Sequence, residues 1–118
     1  WFDAVMLRHA ARLNSLSEIA LTKLDILDDL DTIKMCVAYE IDGKRVETMP
    51  YHQSEFHKAR PIFEEVPGWK TDISECTEPD QLPPAAQDYV RMIEKHVGVP
   101  VSIIGVGPGR RQYVHWNA

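Results

Sequence analysis

The pair Asp42-Gly43, which lies between two extended runs, constrains the fold of this chain more than any other feature. Both residues tolerate positive φ, and Asp-Gly between extended segments is a strong signal for a tight β-hairpin. Residues 34–41 therefore predict one strand, and residues 44–49 predict its antiparallel neighbour. A chain with such a hairpin cannot form a wholly parallel sheet, so any parallel strands must belong to a mixed sheet.

A first helix is predicted over residues 4–13. Asp3 is a candidate N-cap, because its carboxylate can accept a hydrogen bond from a free amide of the first turn. Met6, Ala10 and Leu13 follow at spacings of four and three, which places them on one face. Asn14-Ser15 is expected to end the helix.

A second helix is predicted to begin near Pro84, a residue suited to the first helical turn. Gly98 and Pro100 supply its stop signal. The positions predicted to face inward are Ala86, Val90, Ile93 and Val97. The positions predicted to face outward are Gln87, Arg91, Glu94 and Lys95. This alternation is typical of a helix packed on a sheet.

The remaining elements complete an α/β pattern. Short apolar runs predict buried strands at residues 19–22 and 101–106, and residues 112–116 predict an edge strand. Residues 50–83 are rich in proline and are interpreted as a loop with one extended piece at 62–66. We expect an α/β fold in which a mixed β-sheet carries flanking helices, built as one segment over residues 1–118.

Composition excludes several classes of protein. The formal charge of −5 makes the chain a poor ligand for nucleic acid. No apolar run approaches the roughly 20 residues that span a bilayer, so no membrane partner is expected. Cys36 and Cys76 are the two cysteines, which indicates the reducing cytosol rather than a disulfide framework. Because the sequence starts on Trp1 without a methionine, we expect a fragment or a processed product.

The tetrapeptide Thr22-Lys23-Leu24-Asp25 closes the first predicted strand and is the most informative motif. A carboxylate here can accept two parallel hydrogen bonds from guanine, one from N1–H and one from the exocyclic amine. Adenine cannot make this pair, and it would leave the charge unpaired. The methylene stem of Lys23 can cover the flat base while its ammonium stays near water. The alternative is that Lys23 and Asp25 are solvated residues at a strand end.

A second candidate is the glycine-rich segment that carries Gly105, Val106 and Gly107. Glycines at the end of a strand let the backbone approach a ligand closely. A phosphate loop is excluded, because no Gly-Lys-Ser/Thr ending follows and Pro108 removes an amide donor. The segment is therefore interpreted either as a backbone wall for a base or as a simple turn.

Other polar residues are given structural interpretations. The carboxylates that follow the tetrapeptide are predicted to form a solvated turn: Asp28, Asp29 and Asp31. Cys36 is predicted to be a small core residue, and Arg110-Arg111 an exposed pair. The five histidines are dispersed, and no spacing resembles a zinc site. No catalytic or metal-binding residue is predicted in this chain.

Several motifs, in this order and spacing, resemble the adenylosuccinate synthetase family, and the resemblance covers essentially the whole chain. They are Trp1-Phe2-Asp3, Leu13-Asn14-Ser15-Leu16, residues 21–28, Cys36-Val37-Ala38-Tyr39, Pro67-Gly68-Trp69, Ile93-Glu94, and residues 98–108. The resemblance implies the C-terminal quarter of an enzyme with a P-loop-NTPase-like synthetase fold. That enzyme couples IMP and L-aspartate, with GTP and Mg²⁺, to form adenylosuccinate, GDP and phosphate in AMP biosynthesis.

The resemblance also implies roles for particular residues. The GTP-binding residues that carry over are Lys23, Leu24, Asp25, Gly105, Val106 and Gly107. Many relatives have a hydroxyl residue in place of Gly105, so only backbone contacts are carried over there. In the family, the catalytic residues, the phosphate loop and the Mg²⁺ ligands lie in the N-terminal part. The isolated segment is therefore expected to have no turnover, and the full-length enzyme to be a cytoplasmic homodimer.

Two alternatives remain open at this point. A regulatory GTPase shares the guanine-selecting Lys-x-Asp motif, although the order of the surrounding segments and the Asp-Gly hairpin argue against it. A free-standing interaction module without catalytic activity is the other alternative.

Overall fold

The computed structural model describes residues 2–15, 17–47 and 58–116. Within these ranges the elements are β1 (Phe2–Asp3), α1 (Ala4–Asn14), β2 (Ile19–Leu21), a 3₁₀ helix (Leu24–Leu27), β3 (Thr32–Ile41), β4 (Lys44–Val46), β5 (Arg60–Pro67), a second 3₁₀ helix (Pro79–Gln81), α2 (Pro84–Val97), β6 (Val101–Gly105) and β7 (Tyr113–His115). The predicted α/β class is confirmed.

The strands form two mixed sheets. In the larger sheet, β3 pairs antiparallel with β4 and β5 and parallel with β1. In the smaller sheet, β6 lies between β2, which is parallel to it, and β7, which is antiparallel. The predicted hairpin is confirmed, because Asp42 and Gly43 both have positive φ between β3 and β4. Residues 48 and 49 of the predicted second strand lie outside the described residues.

A β-bulge divides β3 between two apolar clusters. Cys36 pairs with Phe63 and Ala38 with Ile62, so Val37 is one extra residue on β3. A single extra residue shifts the alternation of side chains by one. Tyr39 therefore joins Cys36 in a small cluster beneath α1, whereas Val37 belongs to the main core. The prediction that Cys36 is a core residue is confirmed, and burial raises the pKa of its thiol.

Helix α1 begins and ends as predicted but buries a different face. Asp3 Oδ1 accepts a hydrogen bond from the Met6 amide at 3.0 Å, and Ser15 ends the helix in a left-handed conformation. The predicted apolar face is wrong, since Met6 is 48% exposed and Leu13 is 71% exposed. Ala4 and Ala11 face the core instead. Helix α1 as a whole contacts both α2 and β3.

Helix α2 confirms its predicted bounds and its buried face. Gly98 adopts φ +82° at its end, and the Gly98 amide donates to the Glu94 carbonyl at 2.9 Å. Glu94 does not face outward as predicted. Its side chain is half-buried and accepts hydrogen bonds from the Val101 amide at 2.9 Å and from Trp116 Nε1 at 3.1 Å. This carboxylate therefore ties α2 to the end of the smaller sheet where β6 begins and β7 ends.

One further strand prediction needs correction. Strand β2 is not buried, because it forms an edge of the smaller sheet and Ala20 is exposed. The extended piece predicted at residues 62–66 is confirmed and is longer than expected, since the eight-residue strand β5 pairs along nearly the whole of β3. The predicted edge strand β7 is confirmed. In the described ranges, no helix is long and apolar enough to cross a membrane.

The turn after β5 requires Gly68 for steric reasons. A Cβ at this position would lie 1.8 Å from the Leu30 carbonyl oxygen, and the Gly68 amide donates to the Asp31 carbonyl at 2.8 Å. Backbone atoms fixed by such a hydrogen bond cannot move aside cheaply. This close approach joins the start of β3 to the segment that follows β5.

We therefore predict that Gly68→Ala lowers the free energy of unfolding by about 3 kcal/mol or more. Gly98→Ala is the matched control. It has open space around the new Cβ and should cost about 1–2 kcal/mol, from left-handed strain alone. Urea denaturation of both variants measures the difference. Equal losses would show that the contact with Leu30 does not constrain the turn.

Candidate functional site

The carboxyl ends of β2 and β6 bring the two sequence motifs together. The strands are parallel neighbours, with Leu21 opposite Ile104, so the segments that follow them leave the sheet at the same edge. A Cβ at Gly105 would lie 3.4 Å from Thr22 Cα and 3.5 Å from the Lys23 amide nitrogen. These are close but tolerable contacts, so packing alone does not demand glycine here. The two motifs lie 83 residues apart in sequence between positions 22 and 105, yet they touch through their backbones.

A cleft of about 380 Å³ opens between these strand ends. Its walls include Ile103, Pro108 and Tyr113, and its charged side chains are Lys23 and Arg110. The lining is more apolar than polar. An apolar slot with cationic groups is suited to a flat heterocycle that carries anionic substituents.

The six predicted site residues divide into two groups of three. Among the described residues, those that line the cleft are Lys23, Gly105 and Gly107. Those that do not are Leu24, Asp25 and Val106. Leu24 and Val106 are core residues with 2% and 0% exposure, so only their backbone can face a ligand.

Backbone geometry positions the Lys-Leu-Asp turn. Lys23 has φ +60° and ψ +34°, an unusual left-handed conformation for lysine. Leu24 then enters the core and begins the 3₁₀ helix that carries the half-buried Asp25. Asp25 is two residues beyond Lys23, so their Cα atoms lie within about 7 Å. The core side chain of Leu24 thus anchors a turn whose two charged neighbours stay accessible.

Asp28 is not the solvated residue that the sequence predicted. Its half-buried carboxylate accepts hydrogen bonds from Trp69 Nε1 at 2.6 Å and from the Ile73 amide at 3.2 Å. Burial raises the pKa of this carboxyl, while the two hydrogen bonds oppose that rise and the nearby Asp72 and Asp25 charges add to it. Asp29 and Asp31 are exposed, as predicted. Asp28 therefore binds the turn to the segment 69–74, which we call the strap.

Gln112 organises the glycine loop at the other side of the cleft. Its backbone accepts from the Val106 amide at 2.9 Å and donates to the Gly109 carbonyl at 3.1 Å. Its side-chain Oε1 accepts from the Gly109 amide at 2.7 Å, and Nε2 lies 3.4 Å from the Ser74 carbonyl. The amides of Val106 and Gly109 are thus already used within the loop. This agrees with the loop being a wall rather than a phosphate cradle.

No local sequence pattern predicted that Trp69, Ser74 and Gln112 support the Lys-Leu-Asp turn and the glycine loop. Each bond to Asp28 or Gln112 from the strap spans 38 to 45 residues, far beyond any local motif. The exposed pair Arg110-Arg111 is confirmed, and Arg110 also lines the cleft. Among the described residues, no three His, Cys, Asp or Glu side chains are placed to hold a metal ion.

The structure defines this chain as an α/β unit with a cleft at the carboxyl ends of parallel strands, where ligands commonly bind in such folds. Residues 1–114 match the model of the family described as adenylosuccinate synthetase. The chain therefore belongs to the adenylosuccinate synthetase family. This assignment favours a synthetase over a regulatory GTPase.

Individual relatives agree with the family assignment. The adenylosuccinate synthetase of Streptomyces coelicolor is 52% identical over the whole chain, and that of Mycobacterium marinum is 54% identical over 97% of it. A solved structure, described as fully ligated adenylosuccinate synthetase from Plasmodium falciparum, superposes on 99% of the chain with a TM-score of 0.93 and 37% identity. The chain spans 28%, 26% and 28% of these three proteins, respectively.

The Asp28 contacts predict a measurable cost for Asp28→Asn. An asparagine has one acceptor oxygen, so either Trp69 or Ile73 loses its partner at this position. We expect the free energy of unfolding to fall by about 1–3 kcal/mol. Asp29→Asn, at an exposed neighbour, is the matched control and should stay within about 0.5 kcal/mol of wild type.

The difference in free energy of unfolding between the wild type and Asp28→Asn should also depend on pH, in the direction set by the raised pKa of Asp28. The folded state holds the Asp28 proton more tightly than the unfolded state, whose carboxyl keeps the ordinary value of 3.8. As pH rises through the interval above 3.8, the wild type loses stability relative to the asparagine variant. Unfolding curves at several pH values should show that the stability difference between the wild type and the asparagine variant becomes smaller as pH rises. A gap that widens with pH would contradict the raised pKa.

Proposed function

We propose that this chain is the C-terminal, guanine-nucleotide-binding segment of an enzyme that forms adenylosuccinate from IMP and L-aspartate. GTP is the phosphoryl donor and becomes GDP and phosphate. The observation that carries the proposal is the contact between the Lys-Leu-Asp turn and the glycine loop across one cleft. Membership of the adenylosuccinate synthetase family supports it.

Asp25 is the residue proposed to select the base. Its carboxylate would accept hydrogen bonds from guanine N1–H and from the exocyclic amine. Hydrogen bonds to a charged acceptor are stronger than neutral ones, and adenine offers an acceptor at N1 where the carboxylate needs a donor. The wrong base would therefore leave the Asp25 charge unpaired, which is the main source of discrimination.

Lys23 and the glycine loop are proposed to hold the faces and the remaining edge of the base. The lysine stem can lie along the heterocycle from one side of the cleft, and the backbone at Gly105 and Gly107 can approach it from the other. Leu24 and Val106 contribute backbone groups, because their side chains belong to the core. The segment thus supplies base recognition and no catalytic group.

The other parts of the enzyme would supply the chemistry. Mg²⁺ is proposed to be held by those other parts, and among the described residues no three His, Cys, Asp or Glu side chains form a group that could hold a metal ion. We therefore assign no step to a metal in this segment. The IMP and aspartate sites, the phosphate loop and the catalytic residues are proposed to lie outside this segment. The complete enzyme is proposed to act in the cytoplasm as a homodimer.

The test of this function is the variant Asp25→Asn in a full-length synthetase that carries the segment. Loss of a charged acceptor should raise the KM for GTP about 30- to 100-fold. XTP should become the better substrate, because xanthine presents an acceptor where guanine has its amine and thus suits an amide. Steady-state assays with both nucleotides measure the preference.

Asp29→Asn is the control, since Asp29 is an exposed carboxylate four residues farther along the chain. It should leave both KM values unchanged. If Asp25→Asn also leaves the preference for GTP over XTP unchanged, Asp25 does not read the base and the proposed role of the segment is wrong.

A further inference from the structure

Only a short piece of sheet holds the two walls of the cleft together directly. Strands β2 and β6 pair through three residues of β2, after which the Lys-Leu-Asp turn and the glycine loop leave the sheet. A base that is recognised along its edge needs its two walls at a fixed separation, because hydrogen bonds weaken steeply with distance and angle. A second connection beyond the sheet would supply that constraint.

The strap, residues 69–74, contacts both walls. At one end, Trp69 Nε1 and the Ile73 amide donate to the two oxygens of Asp28. The Asp28 amide in turn donates to the Asp25 carbonyl at 3.1 Å, within the turn that carries the base-reading carboxylate. Asp28 therefore makes two hydrogen bonds to the strap and one within the turn.

At its other end, the strap meets the glycine loop through Gln112. Nε2 of this side chain donates to the Ser74 carbonyl at 3.4 Å, and Oε1 accepts from the Gly109 amide at 2.7 Å. The amide also lies directly against Gly107, where a Cβ would come within 2.5 Å of Gln112 Cδ. One half-buried side chain thus contacts two glycines of the loop and the strap.

We propose that Gln112 is a positioning residue for guanine-nucleotide binding, which holds the glycine loop and, through the strap and Asp28, keeps it in register with the Lys-Leu-Asp turn. This inference rests on the proposed function of the cleft. Gln112 itself is not assigned any contact with the nucleotide. Its short bond to the Gly109 amide carries most of the effect, and the longer bond to Ser74 links the loop to the opposite wall.

Three variants in the full-length synthetase separate hydrogen bonding from space filling. Gln112→Glu keeps an acceptor for the Gly109 amide, Gln112→Met fills similar space without that acceptor, and Gln112→Ala removes both. We expect the KM for GTP to rise about 3- to 10-fold in the Met and Ala variants. It should rise only about twofold in the Glu variant, which keeps the stronger bond to Gly109 but loses the donor to Ser74. The kcat and the KM values for IMP and aspartate should not change.

Hydrogen exchange in the nucleotide-free protein gives a readout that does not depend on catalysis. The Gly109 amide should exchange faster in the Met and Ala variants than in the wild type, and the Glu variant should keep its protection. A general loss of stability would instead raise exchange in distant peptides, such as the buried β3 region. Mass spectrometry of peptides across residues 105–112 measures this.

Each other result overturns the inference. A wild-type KM for GTP in the Met variant would show that the side chain acts by filling space. Faster exchange at Gly109 with an unchanged KM for GTP would show that the loop is tied by Gln112 but does not need that tie to bind nucleotide. Equal changes in all KM values would indicate a merely structural residue.

Failure of this inference differs from failure of the proposed function. If Gln112 variants behave like the wild type while Asp25→Asn switches the base preference, the proposed base-binding site is supported and the positioning role of Gln112 is wrong. If Asp25→Asn leaves the preference for GTP over XTP unchanged, the proposed function of the segment is wrong, whatever the hydrogen-exchange data show. Combining Asp28→Asn with Gln112→Ala adds a coupling test, because two breaks in one connection should raise the KM less than the product of the single effects.

Discussion

The parallel pairing of β2 with β6 is the constraint on which the rest of the structure depends. It brings together two segments that are far apart in sequence and makes both leave the sheet at one edge. The cleft exists because the segments that follow the two strands fold differently. The first enters a 3₁₀ helix anchored by Leu24, and the second forms a loop closed by Gln112. Neither segment would form a site without the other.

The proposed recognition of a base depends on a rigid arrangement of the groups around the cleft. The core holds Leu24 and Val106, so Lys23, Gly105 and Gly107 line the cleft from fixed points of the backbone. Asp28 connects the turn to the strap through its hydrogen bonds with Trp69 and Ile73, which partly offset the cost of burying its carboxylate. A site held in place before its ligand arrives loses less conformational freedom on binding. The family assignment is consistent with a nucleotide as that ligand.

Local signals in the sequence predicted the elements of the fold well. Asp3, Gly98 and the Asp42-Gly43 turn mark chain reversals or helix ends by their own conformational preferences, and each lies where it was expected. Met6 and Leu13 misled, because spacings of three and four occur on more than one face of a helix. The face that packs is instead the one that carries Ala4 and Ala11, which are buried in the main core. Only the tertiary partner could show this.

The site was also predictable in part, from local sequence signals. Its two motifs carry recognisable residue types, and the rule that parallel strands share an edge brings them together. The supporting contacts of Asp28 and Gln112 depend on the course of residues 69–74, which carry no periodic pattern. The bulge at Val37 could not be predicted either, since nothing in the apolar run of β3 shows which residue is unpaired. Contacts set by long-range packing leave little trace in local sequence.

The most direct measurement is a crystal structure of a full-length synthetase that carries this segment, with GDP bound. The account predicts that the Asp25 carboxylate lies in the plane of the guanine, with its oxygens about 3 Å from N1 and from the exocyclic amine nitrogen. It also predicts that the base lies between Lys23 and the glycine loop. A carboxylate that points into solvent, with the base bound elsewhere, would contradict the account.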